Sequence, residues 1–309
     1  MNPDLSVNLC GNKFKNPLIL ASGLLGNDAA LMFRVAHTGL GAVTTKSCSL
    51  LPCKGNENPT VLAWEVGIIN AVGLTNPGVE EEIEEIKKLK NLLRNLKTLV
   101  IASIFGPTIE EIGQVARKIS QAKPDFIEIN ISCPHADPSV RGSFYASPEA
   151  TKRLTQAVKK NTSIPIIIKL SPNVADIASI AKAAQDGGAD AISAINTVGP
   201  GMVIDLESGK PILANKVGGI SGPAIKPIAI RCVWQIAQVV KIPIIGMGGV
   251  TSGEDAAEMI MVGATAVGIG SAIHYRGMNV FSKITKELEE FMRTHDYKSL
   301  NQFRGIAHE

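Results

Sequence analysis

Aromatic side chains are scarce in this chain, at 4% of its 309 residues. That argues against a β-sandwich built on aromatic residues. The 29 glycines and 45% hydrophobic content favour the small aliphatic strands and tight loops of α/β proteins. An excess of charge is also missing. Lysine plus arginine number 31 against 28 for aspartate plus glutamate, a formal net charge of +3 without any basic block, which excludes a nucleic-acid footprint. No run approaches the ~18 uncharged apolar residues of a membrane helix, and the opening MNPDLSVNLCGNKF has no apolar signal-peptide stretch, so no membrane partner is expected. The cysteines, Cys10, Cys48, Cys53, Cys133 and Cys232, are odd in number and form no C-x-x-C pair. Neither a disulfide framework nor a self-contained zinc or iron–sulfur site is expected, and a reducing cytoplasm is the natural compartment. The five histidines show neither H-x-H nor H-E-x-x-H spacing, so no metal site is expected.

What is present is a steady alternation. Apolar runs at 18–21, 42–45, 99–103, 126–130, 166–169, 191–194, 244–247 and 266–269 are aliphatic at nearly every position, as strands buried on both faces are. Helical patterns lie between them, among others at 109–120, 148–160, 174–186, 225–240 and 254–262. AAQDGGADAI and EMIMVGATAV each read as a helix end, a glycine cap and the next strand. The charged run at 80–90 carries Val79, Ile83, Ile86, Leu89 and Leu93 at helical spacing and reads as the wet face of an amphipathic helix. Eight strand–helix units predict an α/β fold, a TIM (β/α)8 barrel spanning residues 1–309 as one domain, with a doubly wound open sheet as the alternative. Residues 5–9 and 13–15, around Gly11-Asn12, predict an N-terminal β-hairpin closing the barrel bottom. Insertions at 48–97, 132–147 and 197–224 each follow the C-terminal end of a strand, the face where such barrels place their active sites.

The chemistry-bearing residues gather at those strand ends. Gly246-Met247-Gly248-Gly249 and Gly268-Ile269-Gly270-Ser271 follow strands seven and eight, with Thr251 or Ser252 placed to cap the next helix and Gly219 and Gly222 as a third wall. Backbone N–H groups at two adjacent turns suit a phosphate, of a substrate or of a cofactor; tight turns alone would also explain the glycines. Lys46 and Lys169 end aliphatic strands, where an ammonium needs an anion, either a ligand or a barrel carboxylate. Asn130, Asn196 and Thr197 suit a planar polar ligand with several hydrogen-bonding edges. Cys133, in NISCPH directly after the fourth strand, suits a general base or nucleophile rather than a metal ligand.

With these phrases in place the chain resembles the dihydroorotate dehydrogenases, specifically the class 1 enzymes that use a cysteine. The resemblance runs from Asn16 to about Ala272 on NPLILASGLLG, TTKS, INAVGLTNPG, NISCP, IKLSPN, INT, GGISGPAIKPIA and GMGGVTSGEDA. It implies FMN held by Ser22, Lys46, Ser47, Ser103, Asn130, Lys169, Ile195, Gly222, Gly248, Gly249, Gly270 and Ser271. It implies dihydroorotate or orotate held by Lys46, Asn70, Ala71, Val72, Gly73, Leu74, Asn130, Asn196 and Thr197. Cys133 would take the C5 proton while hydride leaves C6, a step of pyrimidine biosynthesis. The family divides between fumarate-reducing homodimers (1A) and 1B chains that pair, as a heterotetramer around a homodimer core, with a subunit carrying FAD and a 2Fe–2S cluster and pass electrons to NAD. INAVGLTNPG and residues 56–59 lean toward 1B. Two residues depart from the family pattern: His135 and Ser103 stand where asparagines are usual. Cys-Pro-His also resembles dihydropyrimidine dehydrogenases, which leaves that reading open beside a barrel that binds phosphate without redox chemistry.

Overall fold

The computed structural model describes residues 3–131 and 146–309. The chain opens on an antiparallel hairpin, β1 (Val7–Leu9) and β2 (Asn12–Phe14), in which Leu9 pairs with Asn12. Its loop is therefore Cys10-Gly11, one residue earlier than the sequence suggested. Both residues hold positive φ, 51° and 83°, the combination that matches the twist of a two-residue hairpin. The Asn8 side chain fixes the turn by accepting from the Gly11 N–H at 3.0 Å.

The chain then runs through β3 (Leu18–Leu20), α1 (Ala29–Ala36), β4 (Ala42–Thr44), a second hairpin β5 (Val61–Trp64) and β6 (Gly67–Asn70), and α2 (Val79–Leu92). Next come β7 (Leu99–Ile104), α3 (Ile109–Ile119), β8 (Phe126–Asn130), α4 (Pro148–Lys159), β9 (Ile166–Leu170), α5 (Ile177–Asp186) and β10 (Ala191–Ala194). Four short strands follow: β11 (Val198–Gly201), β12 (Ile204–Asp205), β13 (Lys210–Pro211) and β14 (Gly218–Ser221). The chain ends on α6 (Lys226–Ala237), β15 (Ile244–Met247), α7 (Gly253–Met261), β16 (Ala266–Ile269), α8 (Ala272–Arg276) and α9 (Val280–Thr294).

Eight of the strands close a parallel barrel in the order β10-β15-β16-β3-β4-β7-β8-β9, which makes the fold a (β/α)8 barrel rather than an open sheet. Their positions are buried almost throughout, because helices cover the outside and side chains fill the inside. Predicted and observed elements agree except at their ends. Helix α5 begins three residues later than its apolar pattern, because the Asp176 carboxylate accepts from the Ala178 and Ser179 N–H groups and caps it there.

The sequence pattern did not disclose a second sheet. β5 and β6 from the first insertion and β11 and β14 from the third pair antiparallel in the order β11-β14-β6-β5. Ile69 and Ala71 pack with Leu213 in a small separate core beneath this sheet. The sheet stands beside the mouth of the barrel, with Asn70 opposite Gly219 in register.

Helix α2 has the amphipathic character expected of the charged run. Val79, Ile83, Ile86 and Leu89 are buried, and Glu80, Glu81, Glu84, Lys87 and Lys88 face solvent. Glu82 breaks the pattern. It is 2% exposed, and its Oε1 has no hydrogen-bond partner among the described residues. Burial pushes its carboxyl from the ordinary 4.5 up to about 7; a hydrogen bond with the Thr45 side chain pulls the other way, and neighbouring Glu85 adds to the rise. A raised carboxyl pKa means the fold prefers the protonated form. That contribution is complete below about 4.5 and is lost as pH rises through about 7. Glu82→Gln keeps the shape without titrating. We expect it to match the native chain in stability near pH 4.5 and to exceed it by roughly 3 kcal/mol well above pH 7. Paired denaturant melts across that range measure the difference; one that does not change with pH would contradict the assignment.

Candidate active site

One cavity of about 270 Å³ opens at the C-terminal ends of the barrel strands. Ser22 follows β3, Lys46 and Ser47 follow β4, and Asn130 closes β8. Lys169 is the penultimate residue of β9, and Ile195, Asn196 and Thr197 follow β10. Because all eight strands run parallel, these residues, up to 175 positions apart in the case of Ser22 and Thr197, meet at one mouth. The small sheet and its loop supply a side wall with Asn70, Val72, Gly73 and Leu74.

Polar side chains on the floor are tied to one another. The Ser47 hydroxyl lies 3.3 Å from that of Ser22 and 2.8 Å from that of Ser103. Asn130 Nδ2 donates to Ser47 Oγ at 3.5 Å, and Asn196 Nδ2 donates to Asn130 Oδ1 at 3.3 Å. The Asn196 carboxamide also accepts from the Thr197 N–H at 2.8 Å, and Asn173 Nδ2 donates to the Thr197 carbonyl. The amides are therefore oriented before any ligand arrives. Two asparagines brace the 70–74 loop. Asn56 Nδ2 donates to the Ala71 carbonyl at 2.8 Å, and Asn76 Nδ2 donates to the Leu74 carbonyl at 2.9 Å.

The glycine turns expected at strands seven and eight are in place. Gly248, Gly249, Gly270 and Ser271 line the cavity, as does Gly222. Gly248 and Gly249 hold φ of 128° and 75°, and a Cβ at Gly249 would lie 2.7 Å from the backbone nitrogen of Lys226. Tight packing against α6 therefore requires these glycines whatever binds at the turn. Ser252, not Thr251, caps α7, in a reciprocal capping box with Asp255. The Ser271 hydroxyl makes no capping bond to α8.

Two of the residues singled out from the sequence stand apart from the cavity. Ser103 is fully buried below it, because β7 turns that side chain into the barrel interior, where it reaches Ser47 and Glu128. Ala71 is 1% exposed and packs into the small core beneath the second sheet, since alternate residues of the chain leaving β6 face opposite ways. Cys133 and His135 lie outside the described residues. Among the other cysteines, burial raises the thiol of Cys10 to about 11 and those of Cys48 and Cys232 above the usual range. Cys53 Sγ contacts the Gly73 carbonyl.

The sequence reading missed Glu128, which lies on the inner face of β8 beneath Lys169. Their ion pair is 3.8 Å long and almost fully enclosed. Lys169 thus has the barrel carboxylate considered for it and faces the cavity as well. A glutamate inside the aliphatic strand FIEIN was the available signal, by the same reasoning applied to the lysines. No group of three or more potential metal ligands occurs among the described residues. No helix there is long and apolar enough to cross a membrane.

Fold and cavity together define a (β/α)8 barrel with a cation-bearing cavity at the carboxyl ends of its strands. A dihydroorotate dehydrogenase profile matches residues 4–292. Over 305 residues the chain is 47% identical to the dihydroorotate dehydrogenase B (NAD(+)) catalytic subunit of Methanocaldococcus jannaschii, covering 99% of this chain and 98% of that one. It is 45% identical to the Methanothermobacter thermautotrophicus protein of the same name, over 99% of each chain. It is 44% identical to that of Pyrococcus abyssi, over 98% of this chain and 99% of the other. The chain belongs to the dihydroorotate dehydrogenase family.

Proposed function

We propose that this chain oxidises dihydroorotate to orotate with FMN at the barrel mouth, acting as the catalytic half of an NAD-linked complex in the cytoplasm. The observation that carries this reading is the convergence on one cavity of two lysines, three carboxamides and two glycine turns from separate strands. That donor set fits the groups involved. Backbone N–H groups at Gly248–Gly249 and Gly270–Ser271 suit a flavin phosphate, and Lys169 suits the negative charge of a reduced flavin. When bound, the flavin supplies a two-electron acceptor for the hydride leaving C6.

The chain's own residues do the rest. Asn70, Asn130 and Asn196 fix the edge of the planar pyrimidine, and Lys46 faces its carboxylate. Cys133 takes the proton from C5, so that loss of a proton and a hydride leaves the C5–C6 double bond of orotate. The hydrogen-bonded floor keeps these groups oriented, which lowers the entropic cost of reaching the reactive pose.

Two electrons must then leave. The sequence has no C-x-x-C pair for a cluster and no strand–G-x-G-x-x-G–helix unit for NAD, which supports a partner subunit with FAD and a 2Fe–2S centre on a homodimer core. The relatives named above are catalytic subunits, which agrees with a partnered enzyme. The purified chain should bind FMN and reduce artificial dyes with dihydroorotate, yet reduce NAD poorly. Co-expression with a flavin and iron–sulfur subunit should restore NAD reduction. Efficient NAD reduction by the isolated chain would refute the partner, and rapid fumarate reduction would assign the chain to the homodimeric class.

A further inference from the structure

Lys169 and Asn130 stand opposite each other on β9 and β8, and both reach the cavity. Glu128 lies two residues before Asn130 on the same strand, hence on the same inner face and one layer deeper. Its carboxylate is held from both sides. Ser103 Oγ donates to Oε1 at 3.3 Å and Ser193 Oγ donates to Oε2 at 3.0 Å, and both serines are fully buried. Ser103 lies beside Glu128 in register on β7, and Ser193 lies beside Lys169 on β10, so four strands lock one charged pair. The Lys169–Glu128 separation of 3.8 Å is too long for a hydrogen bond. Among the described residues the Lys169 ammonium makes no hydrogen bond, so its donors are left for the cavity above while the Glu128 carboxylate sits below it.

We infer that Glu128 is a positioning residue, which through Lys169 sets how strongly the site stabilises negative charge on the bound flavin and so tunes the flavin's oxidising strength. The inference rests on the flavin reading given above. A bare lysine at this position would pull harder on electron density. With its charge partly cancelled from beneath, the flavin stays a weaker oxidant, suited to handing electrons onward to a low-potential acceptor such as NAD. Ser103 acquires a role here too: it links the carboxylate to Ser47 at the cavity floor.

The test uses the flavin-loaded chain and sulfite, which adds to flavins more tightly where positive charge faces the pyrimidine end. Glu128→Gln removes the countercharge while keeping the shape. Its sulfite dissociation constant should fall about tenfold, for a unit charge acting across a partly screened interior. The two-electron midpoint potential should rise by the equivalent, about 30 mV. In a Lys169→Met background the same substitution should change neither quantity, because the proposed effect runs through the charge of the lysine that the variant lacks. A purely structural Glu128 would lower the melting temperature and leave both readouts at wild-type values, which would overturn the inference. An equal shift in both backgrounds would also overturn it, since Glu128 would then act directly rather than through Lys169. If Glu128→Gln does not fold, Glu128→Asp withdraws the charge by one methylene; a roughly threefold tightening is expected, and an unchanged constant overturns the proposal. A wild-type chain that takes up no FMN defeats the flavin reading itself, whereas a flavin-loaded Glu128→Gln chain with native sulfite affinity defeats this inference alone.

Discussion

Cys133→Ser is expected to lose about 10²–10⁴-fold in turnover at neutral pH, the contribution usual for a positioned general base, while FMN stays bound. An unperturbed thiol titrates near about 8.5, so a useful fraction is ionised at neutrality, whereas a serine hydroxyl is far less acidic. No described cysteine lines the cavity. Burial raises the thiols of Cys10, Cys48 and Cys232, which keeps them protonated, and Cys53 Sγ is engaged with the Gly73 carbonyl. Native activity should climb as pH approaches the thiol's pKa, and the serine variant should lack that limb. Steady-state rates of both proteins from pH 6 to 9, with flavin content read by absorbance, decide the matter. Near-native turnover by Cys133→Ser at pH 7 would remove the assignment.

Dihydrouracil is expected to be a poor substrate, with kcat/KM lower than that of dihydroorotate by roughly a thousandfold or more. It lacks the carboxylate that Lys46 faces in the proposed complex. A site built to hold a polar group rejects an analogue lacking it, because the interactions it offers that group are not made. The floor around Lys46 and Ser47 is hydrogen-bonded in advance, so it has little freedom to close over the missing group. Parallel kinetics on the two dihydropyrimidines measure the ratio. Comparable values would move the chain to the dihydropyrimidine side that Cys-Pro-His resembles, despite the Asn70–Leu74 loop.

Much of the fold was legible because parallel strands buried on both faces leave mostly apolar runs, and Phe126–Asn130, Ala191–Ala194, Ile244–Met247 and Ala266–Ile269 begin and end where those runs do. The strand-end lysines and asparagines were legible for a related reason: an ammonium or carboxamide closing an apolar strand needs a partner, and the barrel mouth supplies one. The antiparallel sheet was not legible. Asn70 and Gly219 are 149 residues apart, and neither insertion carries a pattern that names its partner. The hairpin turn was displaced by one residue because Cys10 can accept the positive φ that its loop length demands.

The sequence by itself determined the barrel, the face on which its cavity opens and many of the residue types lining it, since burial periodicity and the cost of polar strand ends are local properties of the chain. Register and strand order, which only the tertiary structure supplies, decided the rest. They turned Ala71 into a small core and Ser103 beneath the floor, and they set Glu128, forty-one positions before Lys169, under its ammonium. A side chain's neighbours across a closed sheet depend on the stagger of strands far apart in the chain, and no local pattern encodes that stagger.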